Sequence, residues 1–155
     1  MNNKIMIREF LDDDSVMVSN IIKENLLNVN IKDYPEETIM NMCSIFTPEY
    51  MSSISKIRKV YVVVEGNKII GTASLDKDTI YTVFIDIHYH NQGIGRMLID
   101  FMERIALDSG VTSLKLPSSL TAQGFYEKLG YNAFQIIESK DFGRDIIMIK
   151  NISPP

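Results

Sequence analysis

The chain has 155 residues, 45% hydrophobic and 23% charged, the ordinary make-up of one globular domain that buries enough surface to fold without metal or disulfide staples. Its formal net charge of -4 provides no broad attraction to phosphate backbones or anionic membranes, which argues against nucleic acid or a membrane surface as a partner. Cys43 is the lone cysteine, so no intramolecular disulfide can form, and with His88 and His90 as the two histidines there is no Cys/His cluster of zinc spacing and no metal is expected.

Met1 to Phe10 carries Lys4, Arg8 and Glu9 and no long apolar run, so it reads as neither a signal peptide nor an anchor, and a cytoplasmic location is the default expectation. Ile5, Ile7 and Phe10 form a short extended segment. Asp12, Asp13 and Asp14 then supply N-cap and dipole-favoured charge for a helix over residues 15–28. Its apolar positions Val18, Ile21, Ile22 and Leu26 recur at three-to-four spacing, with Asn25 the exception in the stripe. Two more helices start after Tyr34-Pro35 and at Thr47-Pro48-Glu49, because proline suits a first helical position and acidic residues the first turn.

From Lys59 the chemistry changes to that of strands. Val60 to Val64 are β-branched or aromatic, Gly66-Asn67 marks a turn, Ile69 to Ser74 return, and Asp76 to Asp78 lead into Ile80 to Ile85. Three strands in an antiparallel meander follow from these short connections. Residues 93–109 are helical, with Ile94, Leu98, Phe101 and Ile105 inward, Arg96, Asp100, Glu103 and Arg104 toward solvent, and Gly110 at the C-cap. Strand 113–116, helix 121–129 closed by Gly130, strand 133–137 and strand 144–149 complete the chain up to its Ser153-Pro154-Pro155 tail. The expected fold is a single α/β domain over residues 1–155 with a mixed sheet, antiparallel early and with a parallel crossover around the helix that starts at Ile94.

Phe84-Ile85-Asp86-Ile87-His88-Tyr89-His90-Asn91-Gln92-Gly93-Ile94-Gly95-Arg96 runs from a strand through a glycine-containing loop into that helix. Two glycines one residue apart let the backbone approach a ligand, and the helix start aims free N–H groups and positive dipole at it, an arrangement that suits a pyrophosphate. By itself the pattern also fits a tight strand-to-helix turn. It has neither the third glycine of a dinucleotide fingerprint nor the Gly-Lys-Ser/Thr of a P-loop.

The segment resembles the cofactor loop of the GNAT superfamily of N-acetyltransferases, Val-Asp-Pro-x-Tyr-Gln/Arg-Gly-x-Gly-x-Gly, with Ile85, Asp86, Gly93 and Gly95 at matching positions, Ile87 in place of the proline and His90 in place of the Gln or Arg. Ser118 to Tyr131, with Phe125-Tyr126-Glu127-Lys128-Leu129-Gly130-Tyr131, is similar to the family's Asn-x-x-Ala-x-x-Phe-Tyr-Glu-Lys-x-Gly-Phe segment, Ser119 standing where Asn is common. The resemblance spans nearly the whole chain, although Asn2 to Lys59 matches only in layout. It implies the GNAT fold, with a splayed parallel pair of strands around the cofactor loop, and acetyl-CoA as co-substrate. Val83, Phe84 and Ile85 would then face pantetheine, Asn91, Gln92, Gly93, Ile94, Gly95 and Arg96 would wrap the pyrophosphate, and Ser119, Ala122 and Tyr126 would complete the cofactor site.

The implied reaction is transfer of acetyl from acetyl-CoA to a primary amine of a small molecule, with Tyr126 as general acid to the leaving thiolate. The glutamate that some relatives use as base corresponds to Leu114, so the base is unassigned. A module that holds acetyl-CoA or coenzyme A without transfer and a protein N-acetyltransferase are the alternatives, and assembly as a homodimer is left open. Asp86, Glu65, Asp76, His88 and His90 are expected to face water as loop and strand-end polars. Lys128 is expected to be either a partner of a coenzyme phosphate or an exposed neighbour of Glu127. Met40, Met42, Tyr50 and Met51, in the region 30–55, are expected to supply adaptable apolar walls for the acceptor.

Overall fold

A computed structural model describes residues 4–154. Met1–Asn3 and Pro155, parts of the N-terminal segment and of the proline tail, lie outside the described residues. Strands β1 (Ile5–Glu9), β2 (Lys59–Glu65), β3 (Lys68–Asp76), β4 (Thr79–Ile85), β5 (Ser113–Ser119), β6 (Asn132–Ser139) and β7 (Gly143–Asn151) form one sheet in the order β1-β2-β3-β4-β5-β7-β6. Every neighbouring pair is antiparallel except β4 and β5, which are parallel. The mixed sheet expected from the chain order is therefore present, and the parallel crossover runs through α4 (Ile94–Asp108).

Helices α1 (Ser15–Asn28), α2 (Glu36–Ile45) and α3 (Pro48–Ile54) cover one face of the sheet, where Val18, Ile22, Leu26, Ile39 and Met51 bury against Val62 and Ile69. On the other face α4 and α5 (Gln123–Lys128) bury Leu98, Ile99, Met102 and Tyr126 against Val63, Ile70, Leu114 and Met148. The alternation along β2, where Val62 serves one core and Tyr61 and Val63 the other, shows why this strand is apolar at every inner position. Burying one such Ile or Leu contributes roughly 1.5–3 kcal/mol. Among the described residues no helix is long and apolar enough to cross a membrane.

Several details depart from the sequence expectation. The inward stripe of α4 is Ile94, Leu98, Ile99, Met102 and Ala106, with Phe101 and Ile105 only half-buried. Glu103, expected toward solvent, accepts from the Tyr131 hydroxyl at 2.8 Å and from Lys150 Nζ at 3.0 Å. Helix α5 is shorter than its expected 121–129 span, and the last three strands are longer than read. The final strand, moreover, does not add at the edge: it inserts between β5 and β6.

The three aspartates open a 3-10 turn, Asp12–Asp14, and none of them caps α1 through its side chain. Asp14 turns back instead. Its carboxylate accepts from the Leu11 amide at 2.8 Å and from both Arg8 guanidinium nitrogens, at 2.8 and 3.1 Å, tying β1 to the start of α1. Burial raises the Asp14 pKa, but the Arg8 hydrogen bonds, the Leu11 amide and the Arg8 charge outweigh it and leave the net value lowered. A lowered folded-state pKa contributes stability that is present above the ordinary carboxylate range and lost as pH falls through the folded value. Asp14→Asn should therefore cost about 1–2 kcal/mol at pH 7, the lower part of the range for charged hydrogen bonds since Arg8 is partly solvated, and the deficit should vanish near pH 2. Urea unfolding of both forms at the two pH values checks this.

Candidate functional site

The parallel ladder between β4 and β5 holds only where Thr79 faces Lys115, with the Lys115 amide on Asp78 O at 2.9 Å. Beyond it the strands part. β4 carries a bulge, with Thr82 at φ 56° and a register shift against β3 between Thr72 and Ser74, and then continues as Val83, Phe84 and Ile85 paired on the β3 side alone. β5 meanwhile stays bonded along its whole length to β7, from Ser113 against Asn151 to Ser119 against Asp145. The far half of β4 thus presents an edge toward a gap, and an unpaired edge offers peptide groups to an extended ligand.

Two side chains pin this edge. Asn25, 4% exposed within the apolar stripe of α1, donates to Ile21 O at 2.9 Å and to Ile85 O at 2.8 Å. His90 Nε2 lies 2.8 Å from the same Ile85 oxygen, and because a carbonyl only accepts, that nitrogen carries the proton. Asp86 is buried and accepts the His88 amide at 2.8 Å, capping the turn Ile87–Tyr89, while Glu65 accepts the Tyr89 hydroxyl at 2.8 Å. The expectation that Asp86, Glu65 and His90 face water is thereby corrected: each is used to fold the loop. Asp76 and His88 are exposed as expected. Glu24, Asp86 and His88 bring one ligand atom each within 4.8 Å of one another, although one Asp86 oxygen is already bonded to the His88 amide.

The loop ends in a cradle. Asn91 and Gly93 adopt φ 63° and 81°, and α4 makes its first bond from the Met97 amide to Gly93 O at 3.1 Å. Among the described residues the amides of Asn91, Gln92, Gly93, Ile94, Gly95 and Arg96 bond no protein acceptor. Such a run of free N–H groups, with the helix dipole behind it, fits an anionic group. The two glycines act differently from the expectation that both clear space for a ligand. A Cβ at Gly93 would meet nothing within 4 Å, so its role is the left-handed turn and the open space above it. A Cβ at Gly95 would lie 3.0 Å from Phe125 Cζ and 3.9 Å from Ile85 Cγ1, so Gly95 lets α4 close on α5 and β4. That contact brings the two sequence motifs together.

Across the gap Ser119 Oγ accepts the Ala122 amide at 3.1 Å and so shapes the turn into α5, and the Tyr126 amide bonds Ala122 O at 3.2 Å. Thr121 Oγ1 is buried without a partner among the described residues. Tyr126 is 5% exposed, set edge-on between Phe125 and Tyr131 at centroid distances of 5.1 and 6.0 Å, and its hydroxyl has no hydrogen-bond partner among the described residues. Burial pushes the phenol pKa far up, so the hydroxyl keeps its proton throughout the neutral range. Leu114 lies fully in the core and offers no carboxylate. Lys128 is exposed.

The opposite side of the gap is built by residues that carry no sequence signal of a site. Tyr34 donates its hydroxyl to Arg144 O at 2.9 Å and accepts the Leu120 amide at 2.8 Å, and burial above all pushes its pKa up to about 12. Phe46 stands 6.3 Å from Phe84, 6.0 Å from Phe142 and 5.5 Å from Tyr50. Of the four residues expected as pocket walls, Met42 and Met51 are buried in the same apolar cluster as Phe46, Tyr50 is partly buried against it, and Met40 is 52% exposed. Asp145, opposite Ser119, is a half-buried carboxyl with no hydrogen bond or ion pair among the described residues, and desolvation pushes its pKa up to about 7. No local pattern marks Tyr34, whose partners Leu120 and Arg144 lie 86 and 110 residues away, or Asp145, which faces Ser119 of another strand.

A family model described as an acetyltransferase (GNAT) domain matches residues 56–133. Over 69 residues, 42% of this chain and 44% of the other, the chain is 38% identical to YyaT of Bacillus subtilis (strain 168). Over 92 residues, 59% of this chain and 62% of the other, it is 28% identical to the peptidyl-lysine N-acetyltransferase YjaB of Salmonella typhimurium. The chain thus spans less than two thirds of the length of each. Its fold is shared with a GCN5-related N-acetyltransferase from Rhodopseudomonas palustris, at a TM-score of 0.88 and 21% identity over 98% of both chains. It is shared also with the PaiA N-acetyltransferase from Thermoplasma acidophilum in complex with coenzyme A, at a TM-score of 0.79 and 18% identity over 96% and 99% of the two chains.

Two glycines near the gap should respond to alanine with opposite signs. Gly93→Ala should destabilise by about 1–2 kcal/mol through its left-handed φ. Gly124→Ala, on α5 with nothing within 4 Å of the added carbon, should stabilise by up to about 1 kcal/mol. Denaturant midpoints of the two variants moving in opposite directions is the expected result.

Proposed function

The chain belongs to the GNAT acetyltransferase family, and on that premise we propose that it transfers an acetyl group from acetyl-CoA to a primary amine of a small molecule. The observation that carries this reading is the run of unpartnered amides at the start of α4 lying between the free edge of β4 and a neutral, buried Tyr126. The amides of Asn91, Gln92, Gly93, Ile94, Gly95 and Arg96 would take the pyrophosphate. The edge of Val83, Phe84 and Ile85 would bond the pantetheine amides, and Ser119, Ala122 and the unpartnered Thr121 hydroxyl would border the arm on the β5 side.

A thioester is already activated, so these groups have mainly to place its carbonyl next to a neutral amine and to protonate the departing sulfur. Tyr126 suits the protonation of sulfur, because its proton is retained until a thiolate forms beside it and its unpartnered hydroxyl is free to donate. For a small acceptor, support comes from the β6–β7 hairpin, which lies on α2 through the Asn41 Nδ2 bond to Asp141 O at 3.3 Å and the close approach of Gly143 to Thr38 and Tyr34, roofing that side. Transfer to a lysine side chain of a protein is the second reading, favoured by the similarity to YjaB. Free-thiol release from acetyl-CoA, assayed with simple alkylamines, amino-acid amides and lysine-containing peptides, tests transfer and separates the two acceptor classes. No release with any of them would leave only binding.

Two variants probe the assignments. Gly93→Val, whose Cβ has no protein atom within 4 Å, should place its side chain in the cradle and lower acetyl-CoA affinity at least tenfold in calorimetric titration; an unchanged affinity in a folded variant excludes this loop as the pyrophosphate site. Tyr126→Phe keeps the ring and its packing, so acetyl-CoA affinity should survive while kcat falls by about 10²–10⁴. A kcat within about twofold of the unmodified enzyme would remove Tyr126 from the chemistry.

A further inference from the structure

Acetyl transfer needs the acceptor as a free amine, yet an alkylamine with pKa near ~10 is almost wholly protonated at pH 7. The motif position from which a carboxylate would remove that proton holds Leu114, fully buried. A group that does so must lie within reach of the gap between β4 and β5, on the side away from the cofactor loop, and must itself be unpaired. Asp145 meets these conditions by position. It stands directly opposite Ser119 in the β5–β7 ladder, and directly opposed residues have Cβ atoms about 5 Å apart. Ser119 is the last residue of β5, where that strand borders the gap.

The direction of the side chain follows from the strand. Ile146 and Met148 face the core under α4 and α5, so by alternation Gly143, Asp145 and Ile147 face the other way. At Gly143 that direction is explicit, since a Cβ there would lie 3.4 Å from Tyr34 Cδ1. Asp145 and Tyr126 therefore lie on opposite faces of the sheet on either side of the end of β5. The groups around the carboxyl are Ser119 of β5, Ile137 of β6, and Tyr34 from the turn before α2 with Asp33 behind it. Arg144 points to the opposite face and lies 4.0 Å from Glu138. Among the described residues no lysine, arginine or histidine pairs with Asp145, so its charge is left for something that is not part of the chain. Tyr34 belongs to one apolar cluster with Phe46, against which Phe84 and Phe142 pack, and this suits an acceptor with a single ammonium group on an apolar frame.

Resting on the acetyl-transfer reading above, we infer that the Asp145 carboxylate receives the ammonium group of the acceptor and takes one proton from it, acting as the base that Leu114 cannot provide. The free amine lone pair then forms the C–N bond at the thioester carbonyl. As the C–S bond breaks, Tyr126 gives its proton to the sulfur, and the second proton lost by nitrogen restores the phenol, while Asp145 returns the first to solvent. A carboxyl pushed up to about 7 by desolvation is matched to this role at neutral pH.

The test is free-thiol release from acetyl-CoA by the full chain between pH 6 and 10, with n-butylamine, phenethylamine and a lysine-containing peptide as acceptors. For Asp145→Asn at pH 7.5 we expect kcat/KM for the amine to fall about 10²–10³-fold with the KM for acetyl-CoA unchanged. The inflection near pH 7 should disappear from its profile, the gap should narrow toward pH 10 as the amine becomes neutral by itself, and Asp145→Glu should recover part of the rate. Activity of Asp145→Asn within twofold of the unmodified enzyme, or a deficit constant with pH, overturns the assignment and leaves acetyl transfer standing. An unmodified chain that releases thiol with none of the acceptors sinks the transfer reading and this one with it.

Folding gives an independent check. The folded pKa of about 7 lies above the ordinary 3.8, so the unpaired charge costs stability as pH rises through about 7. Asp145→Asn should match the unmodified melting temperature near pH 4 and exceed it by a few degrees at pH 8.5. A lower melting temperature at pH 8.5 would mean that the carboxylate is held by partners and overturns the inference.

Discussion

The open gap in this sheet depends on β4 and β5 failing to stay paired. Parallel neighbours normally share a continuous ladder, and giving one up leaves buried peptide groups without partners, at a cost of the order of 1–3 kcal/mol each if water cannot reach them. Here the ladder stops after Thr79, and the bulge at Thr82 turns the rest of β4 away. The half-strand of Val83, Phe84 and Ile85 is stable because β3 holds its other edge and because Asn25 and His90 satisfy the last carbonyl. The gap is thus a compensated defect, and what it exposes is a strand edge and a helix start with free N–H groups.

The surrounding elements can be understood as means of keeping that gap open. β5 does not collapse onto β4 because β7 claims its far edge over all seven residues, and β7 is itself flanked by β6. Insertion of the last strand in the middle of the C-terminal half therefore has a mechanical consequence. On the other bank α1 reaches the end of β4 through Asn25, a polar residue whose burial within an apolar stripe is explained by the carbonyl it meets 60 residues away. Tyr34 joins the turn before α2 to both β7 and the loop after β5, so the helical layer, the β6–β7 hairpin and the start of α5 form one frame.

Chemistry in the gap follows from which groups are dry and unpaired. The Tyr126 phenol is surrounded by aromatic rings and keeps its proton, while Asp145 is half-buried with no cation beside it and binds its proton more tightly than an exposed aspartate does. Burial shifts both titrations upward, and the two groups sit on opposite faces of the sheet on either side of the end of β5. By contrast Glu103, with Lys150 and the Tyr131 hydroxyl on it, and Asp14, held by Arg8, are fully employed in holding elements together.

The sequence alone determined most of the elements and the loop that leads from β4 into α4, because both are written locally. A helix stripe, a β-branched run, the residues 91–96 and Phe125-Tyr126 need only neighbours within a turn or two to declare what backbone they form. Even there the two glycines had to be seen in place before Gly93 could be assigned to the left-handed turn and Gly95 to the contact with Phe125. The tertiary structure decided the rest. Asp86, Glu65 and His90 read as solvated loop residues until their partners were brought up, and Tyr34 meets Arg144 across 110 residues. The physical reason is that periodicity is a property of the local chain, whereas the proton affinity of a side chain is set by how much water the rest of the fold removes from around it. No pattern around Asp145 records that Tyr34 and Ser119 lie beside it.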